Sequence, residues 1–96
     1  MSKRIIEHIR EKVQTSQYDM TRHTQEEMSE DGPDLFDVEQ AIFNGKLVRK
    51  EKDDLRGIKY TVAGKGTDQQ TDVGVVGRFT ETGRFLVITV YEIKDF

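Results

Sequence analysis

Three kinds of side chain in this sequence are equipped to move a proton or hold an anion. His23 sits in Thr21-Arg22-His23-Thr24, away from the apolar stripes of the flanking segments. An imidazole titrates near about pH 6.5, so it can give or take a proton in a cell. Arg56, Lys59 and Arg78 are the second kind: arginine offers a planar fork suited to phosphate oxygens, lysine a point charge. Thr89 and Tyr91 are the third, two hydroxyls two residues apart in the apolar run Phe85-Leu86-Val87-Ile88-Thr89-Val90-Tyr91-Glu92-Ile93. Together they suit attack of a ribose 2′-hydroxyl on its neighbouring phosphate. His23, Arg56, Thr89 and Tyr91 would be the catalytic groups and Lys59 and Arg78 the phosphate holders. Each has a plain alternative. His23 can be a surface or capping histidine, the cations ordinary charges on a solvated sheet face, and Thr89 and Tyr91 residues that simply fit a strand. Spacing does not bring the groups together; the fold must.

The elements that would position them are legible in the periodicities. Ile5, Ile6, Ile9 and Val13 follow helical spacing over 3–15, with Ser2 as a cap. Thr15-Ser16-Gln17 breaks that helix, and Tyr18-Asp19-Met20 is extended or turn-like. Thr21 caps a short second helix over 22–30, which Asp31-Gly32-Pro33 stops. Asp34 caps a third, with Leu35, Val38, Ala41 and Ile42 on one side and Asn44-Gly45 at its end. The period then becomes two, predicting strands over 46–50, 58–64, 72–79 and 84–93. In the last, strict alternation puts Phe85, Val87, Thr89, Tyr91 and Ile93 on one face. Thr80-Glu81-Thr82-Gly83 reads as a tight hairpin turn, and residues 64–70 as the longest loop, a mobile one. That loop is no phosphate-binding P-loop, because a strand follows it and no Gly-Lys-Ser/Thr stands at the required spacing. Helices followed by a strand meander predict an α+β domain: two to three N-terminal helices on one face of a four-stranded antiparallel sheet, with the other face free.

Composition bounds what such a domain can be. Its 96 residues make one domain, 1–96, with one small core. Mean hydropathy is -0.69, yet the apolar residues are clustered and periodic, as in a folded protein. There is no cysteine, hence neither disulfide nor thiolate metal site, and two histidines fifteen positions apart do not suggest zinc; no cofactor or metal is expected. No apolar run reaches spanning length and the start lacks a signal-peptide core, so the expected location is the cytoplasm, with no membrane partner. The charge is uneven. Residues 1–44 carry 5 basic and 10 acidic side chains, residues 45–96 carry 10 and 8, which sum to the net -3. The net charge by itself argues against a dedicated nucleic-acid binder, and no DNA partner is expected; the asymmetry permits an anionic ligand on the sheet and a basic partner on the helices.

Several segments in order resemble a small bacterial family of unknown function, number 4258 in its naming series. Thr21-Arg22-His23 with Glu26-Glu27-Met28 resembles its His-containing helix opening. Asp31-Gly32-Pro33 through Val38-Glu39-Gln40-Ala41-Ile42-Phe43-Asn44-Gly45 resembles its second helix and Asn-Gly stop. Tyr60-Thr61-Val62-Ala63-Gly64 is similar to its strand ending in glycine, and Val87-Ile88-Thr89-Val90-Tyr91 to its closing strand. The likeness covers residues 18–92 within an α+β unit over 18–93, leaving the helix in 1–17 outside. It implies the RelE/barnase-like fold of RelE-type and colicin-like ribonuclease toxins, with the histidine, a basic residue and the last-strand Thr and Tyr at the site. The implied activity is that of a metal-independent endoribonuclease, the toxin of a toxin–antitoxin pair, acting on RNA and bound by an antitoxin or another small protein. RelE-like toxins are usually strongly basic, whereas the pI here is about 5.4. Two other readings stand beside this one: a non-catalytic protein-interaction domain of the same fold, and a small-molecule or nucleotide binder using the open sheet face.

Overall fold

The computed structural model describes residues 4–30, 32–53 and 57–94, with the side chains of Glu30 and Asp53 left aside. Three helices and five strands follow one another: α1 (Ile5–Gln14), β1 (Tyr18–Met20), α2 (Arg22–Glu30), α3 (Leu35–Asn44), β2 (Lys46–Asp53), β3 (Gly57–Lys65), β4 (Asp72–Phe79) and β5 (Phe85–Ile93). The sheet order is β1-β5-β4-β3-β2. Neighbours are antiparallel except β1, which runs parallel to β5, Tyr18 beside Phe85 and Met20 beside Val87. The α+β class is as expected, but the sheet is five-stranded and mixed rather than four-stranded and antiparallel. Three residues are too few to show a period of two, and β1 exists because β5 offers it a ladder. A fork from Arg84 to Asp19, at 2.7 and 3.1 Å, fastens it from the side and holds the Asp19 carboxyl below the usual range.

All three helices lie on one side of the sheet. Ile9 and Val13 of α1 and Val38, Ala41 and Ile42 of α3 are buried against Tyr60, Val62, Val73, Val75, Phe85, Val87 and Val90. Asp34 caps α3 reciprocally: its side chain accepts from Asp37 N–H at 2.9 Å, and its own N–H donates to Asp37 at 3.1 Å. The Ser2 cap falls outside the described residues; α1 starts after Arg4 with no side-chain cap. Arg10 of α1 closes the other end of α3, donating to the carbonyls of Ile42 at 3.0 Å and Gly45 at 2.7 Å, where the helix dipole favours a cation.

Asn44-Gly45 does more than stop α3. Gly45 is extended, with φ -89°, so it is not there for a left-handed turn. A Cβ on it would lie 2.3 Å from the carbonyl oxygens of Ala41 and Ala63, and one on Gly64 would lie 2.2 Å from Ala41 O. The two glycines let the backbones of α3 and β3 touch, and the Asn44 amide then bonds both the N–H and C=O of Lys65 at 2.8 and 2.9 Å. The β4–β5 hairpin turns at Gly83, φ 83°, as its sequence predicts.

β3 runs on to Lys65, and the loop after it is tied rather than loose. Asp37 accepts from the N–H and the hydroxyl of Thr67, both at 2.8 Å. Asp68 accepts from the N–H groups of Gln70 and Thr71 and from the Thr71 hydroxyl, which lowers its pKa to about 2.

Two outcomes follow. Gly64→Ala should lower stability by about 1–3 kcal/mol or more in urea unfolding, because the obstructing atoms are backbone. The Asp68 carboxylate is bound more tightly by the folded loop than by the unfolded chain. Its contribution is therefore complete above the ordinary pKa of 3.8 and fades as pH falls toward about 2. Carboxyl-detected NMR should give a titration midpoint near that value, and Asp68→Ala should remove the same window from the stability–pH curve.

Candidate functional site

The geometry of the site turns on one irregularity in β5. Its register with β4 runs Phe79–Phe85, Arg78–Leu86, Gly77–Val87, then skips a residue to Val76–Thr89, Val75–Val90 and Gly74–Tyr91. Ile88 is the extra residue of a β-bulge. Strict alternation would keep Phe85, Val87, Thr89 and Tyr91 together; the bulge separates them. Phe85, Val87 and Val90 face the helices, whereas Thr89 and Tyr91 stand with Leu86 on the opposite, helix-free face. The expected one-face set is corrected to that extent, while the Thr89–Tyr91 pairing on one face holds.

On that open face the strands align side chains in rows. Thr89 lies beside Val76, Thr61 and Arg49, and Tyr91 beside Gly74, Ala63 and Lys46. The Tyr91 ring rests on Gly74, where a Cβ would meet its Cζ at 2.4 Å, and the residue is 40 % exposed. Lys59, opposite Glu51, and Arg78, opposite Leu86, share the face one row away. Among the described residues neither Lys59 nor Arg78 has a carboxylate within ion-pair distance, unlike Lys65, 2.6 Å from Asp72, and Arg49, 3.0 Å from Glu51. Thr89 donates to the Ile88 carbonyl at 2.8 Å, within its own strand. Arg56 lies outside the described residues.

His23 is positioned by a different tether, on the helix side of the sheet. Thr21 caps α2, its hydroxyl accepting from Thr24 N–H at 3.2 Å. Thr24 is fully buried, and its hydroxyl stands 2.8 Å from that of Thr21 and 3.4 Å from the Val87 carbonyl. The same carbonyl accepts the Thr21 N–H at 3.0 Å. The start of α2 is thus fastened to β5 at the residue before the bulge. That puts His23 one residue from the tether on α2 and Thr89 two residues from it on β5. The His23 ring is 73 % exposed, with Nε2 3.3 Å from Glu27 Oε1, and it makes no contact with Thr89 or Tyr91. Glu27 Oε1 is itself shut off from water without a well-aligned hydrogen bond. Glu27 went unremarked as a site residue; its place four residues after His23 on a helix was the available signal. Thr61, buried beneath the same face, had no signal beyond strand alternation.

What the arrangement offers chemically is a sheet face with two hydroxyls and two cations that make no ion pair among the described residues, and a histidine–carboxylate pair on the helix side of the sheet. Among the described residues no group of three or more His, Asp or Glu could hold a metal, and no helix is long and apolar enough to cross a membrane.

Residues 20–92 match the family described as Domain of unknown function (DUF4258), and the chain belongs to that family. No curated protein and no solved structure matches it.

Replacing the Thr24 hydroxyl with a methyl leaves shape intact but deprives the α2 tether of its side-chain bond. Thr24→Val should cost about 1–3 kcal/mol and speed amide exchange through α2 more than through α3, measured by hydrogen-exchange NMR.

Proposed function

From this family membership and the sheet face together, we propose that the chain is a metal-independent endoribonuclease of the RelE/barnase-like fold. In this reading it is the toxin of a toxin–antitoxin pair, acting in the cytoplasm and held in check by a small protein. The observation that carries the reading is the bulge at Ile88, which sets Thr89 and Tyr91 on the face where Lys59 and Arg78 make no ion pair among the described residues.

Lys59 and Arg78 hold a phosphodiester on the sheet, and Tyr91 and Thr89 donate to its free oxygens. With the RNA chain passing over the β5 edge beyond β1, His23, oriented by Glu27 on the helix side, takes the proton of the ribose 2′-hydroxyl. That oxygen bonds to phosphorus as the bond to the departing 5′-oxygen breaks, and the departing oxygen takes up a proton. The product is a cyclic phosphate and a free 5′-hydroxyl end. A chain of net charge -3 binds RNA only where its cations are gathered, and the 10 basic side chains of residues 45–96 supply that. The exposure of His23 favours a second reading, in which the fold is kept without catalysis and the acidic helices bind a partner protein.

Incubating purified protein with RNA in the presence of a chelator separates the two. Cleavage should occur and fall by about a hundredfold or more in His23→Ala and Tyr91→Phe. Equal activity in wild type and His23→Ala would remove the mechanism, and no cleavage at all would leave the second reading. Lys59→Ala and Arg78→Ala should each reduce the slope of log affinity for single-stranded RNA against log salt by about 0.7.

A further inference from the structure

The two edges of the sheet are treated differently. β2, one edge, carries Lys46, Arg49, Lys50 and Lys52 and a bulge at Val48, features that discourage another strand from pairing. β1, the other, has neither. In its parallel ladder Phe85 N–H donates to Gln17 O at 3.1 Å and Thr21 N–H to Val87 O at 3.0 Å, so Gln17, Asp19 and Thr21 address β5. Tyr18 and Met20 therefore turn their backbone groups outward. Their carbonyls are covered only by side chains, Arg84 Nη2 at 3.4 Å and Gln25 Nε2 at 3.3 Å, both at the long end of hydrogen bonding. Their N–H groups have no partner among the described residues.

Beside this edge lies an open groove of about 610 Å³ between β1, the Gln25–Ser29 flank of α2 and the first turn of α3. Its apolar lining is Met20, Met28 and Leu35, the last 42 % exposed, and Phe36 next to it is 68 % exposed. The groove's own lining holds two carboxylates, Asp19 and Asp34, and no lysine or arginine, within a stretch of sequence, 26–39, that carries seven carboxylates and no basic residue. Outward backbone donors, an apolar groove for alternate side chains and the Asp19 and Asp34 carboxylates at its lining are what an extended basic segment needs in order to add as a strand.

We infer that the outer edge of β1 and its groove take up an extended segment of a partner protein, basic and alternately apolar, as a sixth strand of the sheet. The segment's N–H groups replace the Arg84 and Gln25 side chains on the Tyr18 and Met20 carbonyls. Its apolar side chains enter the groove over Met28 and Leu35, and its lysines or arginines meet the Asp19 and Asp34 carboxylates. The site is independent of the open sheet face, so RNA binding and strand addition can succeed or fail separately.

The full chain, ¹⁵N-labelled, is titrated with a strand-forming peptide of alternating lysine and valine, about eight residues long, and with its glutamate counterpart. The Tyr18 and Met20 amides should shift, saturate and gain exchange protection with the lysine peptide, and the glutamate peptide should bind about tenfold more weakly or worse. Met20→Pro, which removes an outward N–H, should abolish the effect. If that variant does not fold, Leu35→Lys, at an exposed position, should weaken binding about tenfold with the fold retained. Three results would overturn the inference: no shift at Tyr18 and Met20, equal binding of both peptides, or shifts confined to Lys59, Arg78 and Tyr91. The same Tyr18 and Met20 shifts on concentrating the protein alone would also overturn it, because the occupant would then be a second copy.

Discussion

The carbonyl of Val87 is the joint on which the molecule depends. It receives the Thr21 N–H, which ends the β1 ladder, and the Thr24 hydroxyl, which fixes the start of α2. The bulge at Ile88 follows immediately. One acceptor thus closes a strand, seats a helix and precedes the point where β5 exchanges its faces. Had β5 continued without the extra residue, Thr89 and Tyr91 would be turned toward the helices and Val90 toward water. Burying two hydroxyls in place of a valine would cost several kcal/mol unless partners were found for them. The bulge leaves the valine inside and the hydroxyls out.

Much of this was legible in the residues, and the rest was illegible for identifiable reasons. Thr21 and Asp34 cap where their types predict, and Gly83 turns the hairpin, because caps and turns are decided by a few local atoms. The bulge has no such signature: Val-Ile-Thr contains neither glycine nor proline, and only the pairing with β4 reveals it. Thr89 and Tyr91 come out on a shared face because both follow the extra residue, so the parity between them survives. β1 was hidden because a parallel edge strand of three residues takes its identity from a partner 67 positions away. The pairing of His23 with Glu27 needed only helical spacing, whereas the absence of an ion pair to Lys59 or Arg78 among the described residues required the whole sheet.

Charge and shape divide along the same line. Among the described residues the carboxylates of 26–39 lie on α2, on α3 and at its cap, while the strands carry most of the cations of residues 45–96. Glycine shapes each surface by absence. Gly45 and Gly64 allow α3 to meet β3 backbone to backbone, and Gly74 gives the Tyr91 ring a flat seat on the open face. Neither role involves unusual dihedral angles; both are matters of space.

The parallel pairing of β1 with β5 also says when the fold can be completed. Arg10 waits for carbonyls 32 and 35 residues further on, and Tyr18 for a strand that begins at Phe85. Neither α1 nor β1 can be satisfied by what is synthesised just after it. As the chain leaves the ribosome α1 waits for α3, and β1 stays without its ladder until Phe85–Val87 have emerged. A nascent chain stalled before Phe85 would hold Ile9, Val13 and Met20 without the strand they pack on, a ready target for chaperones and proteases.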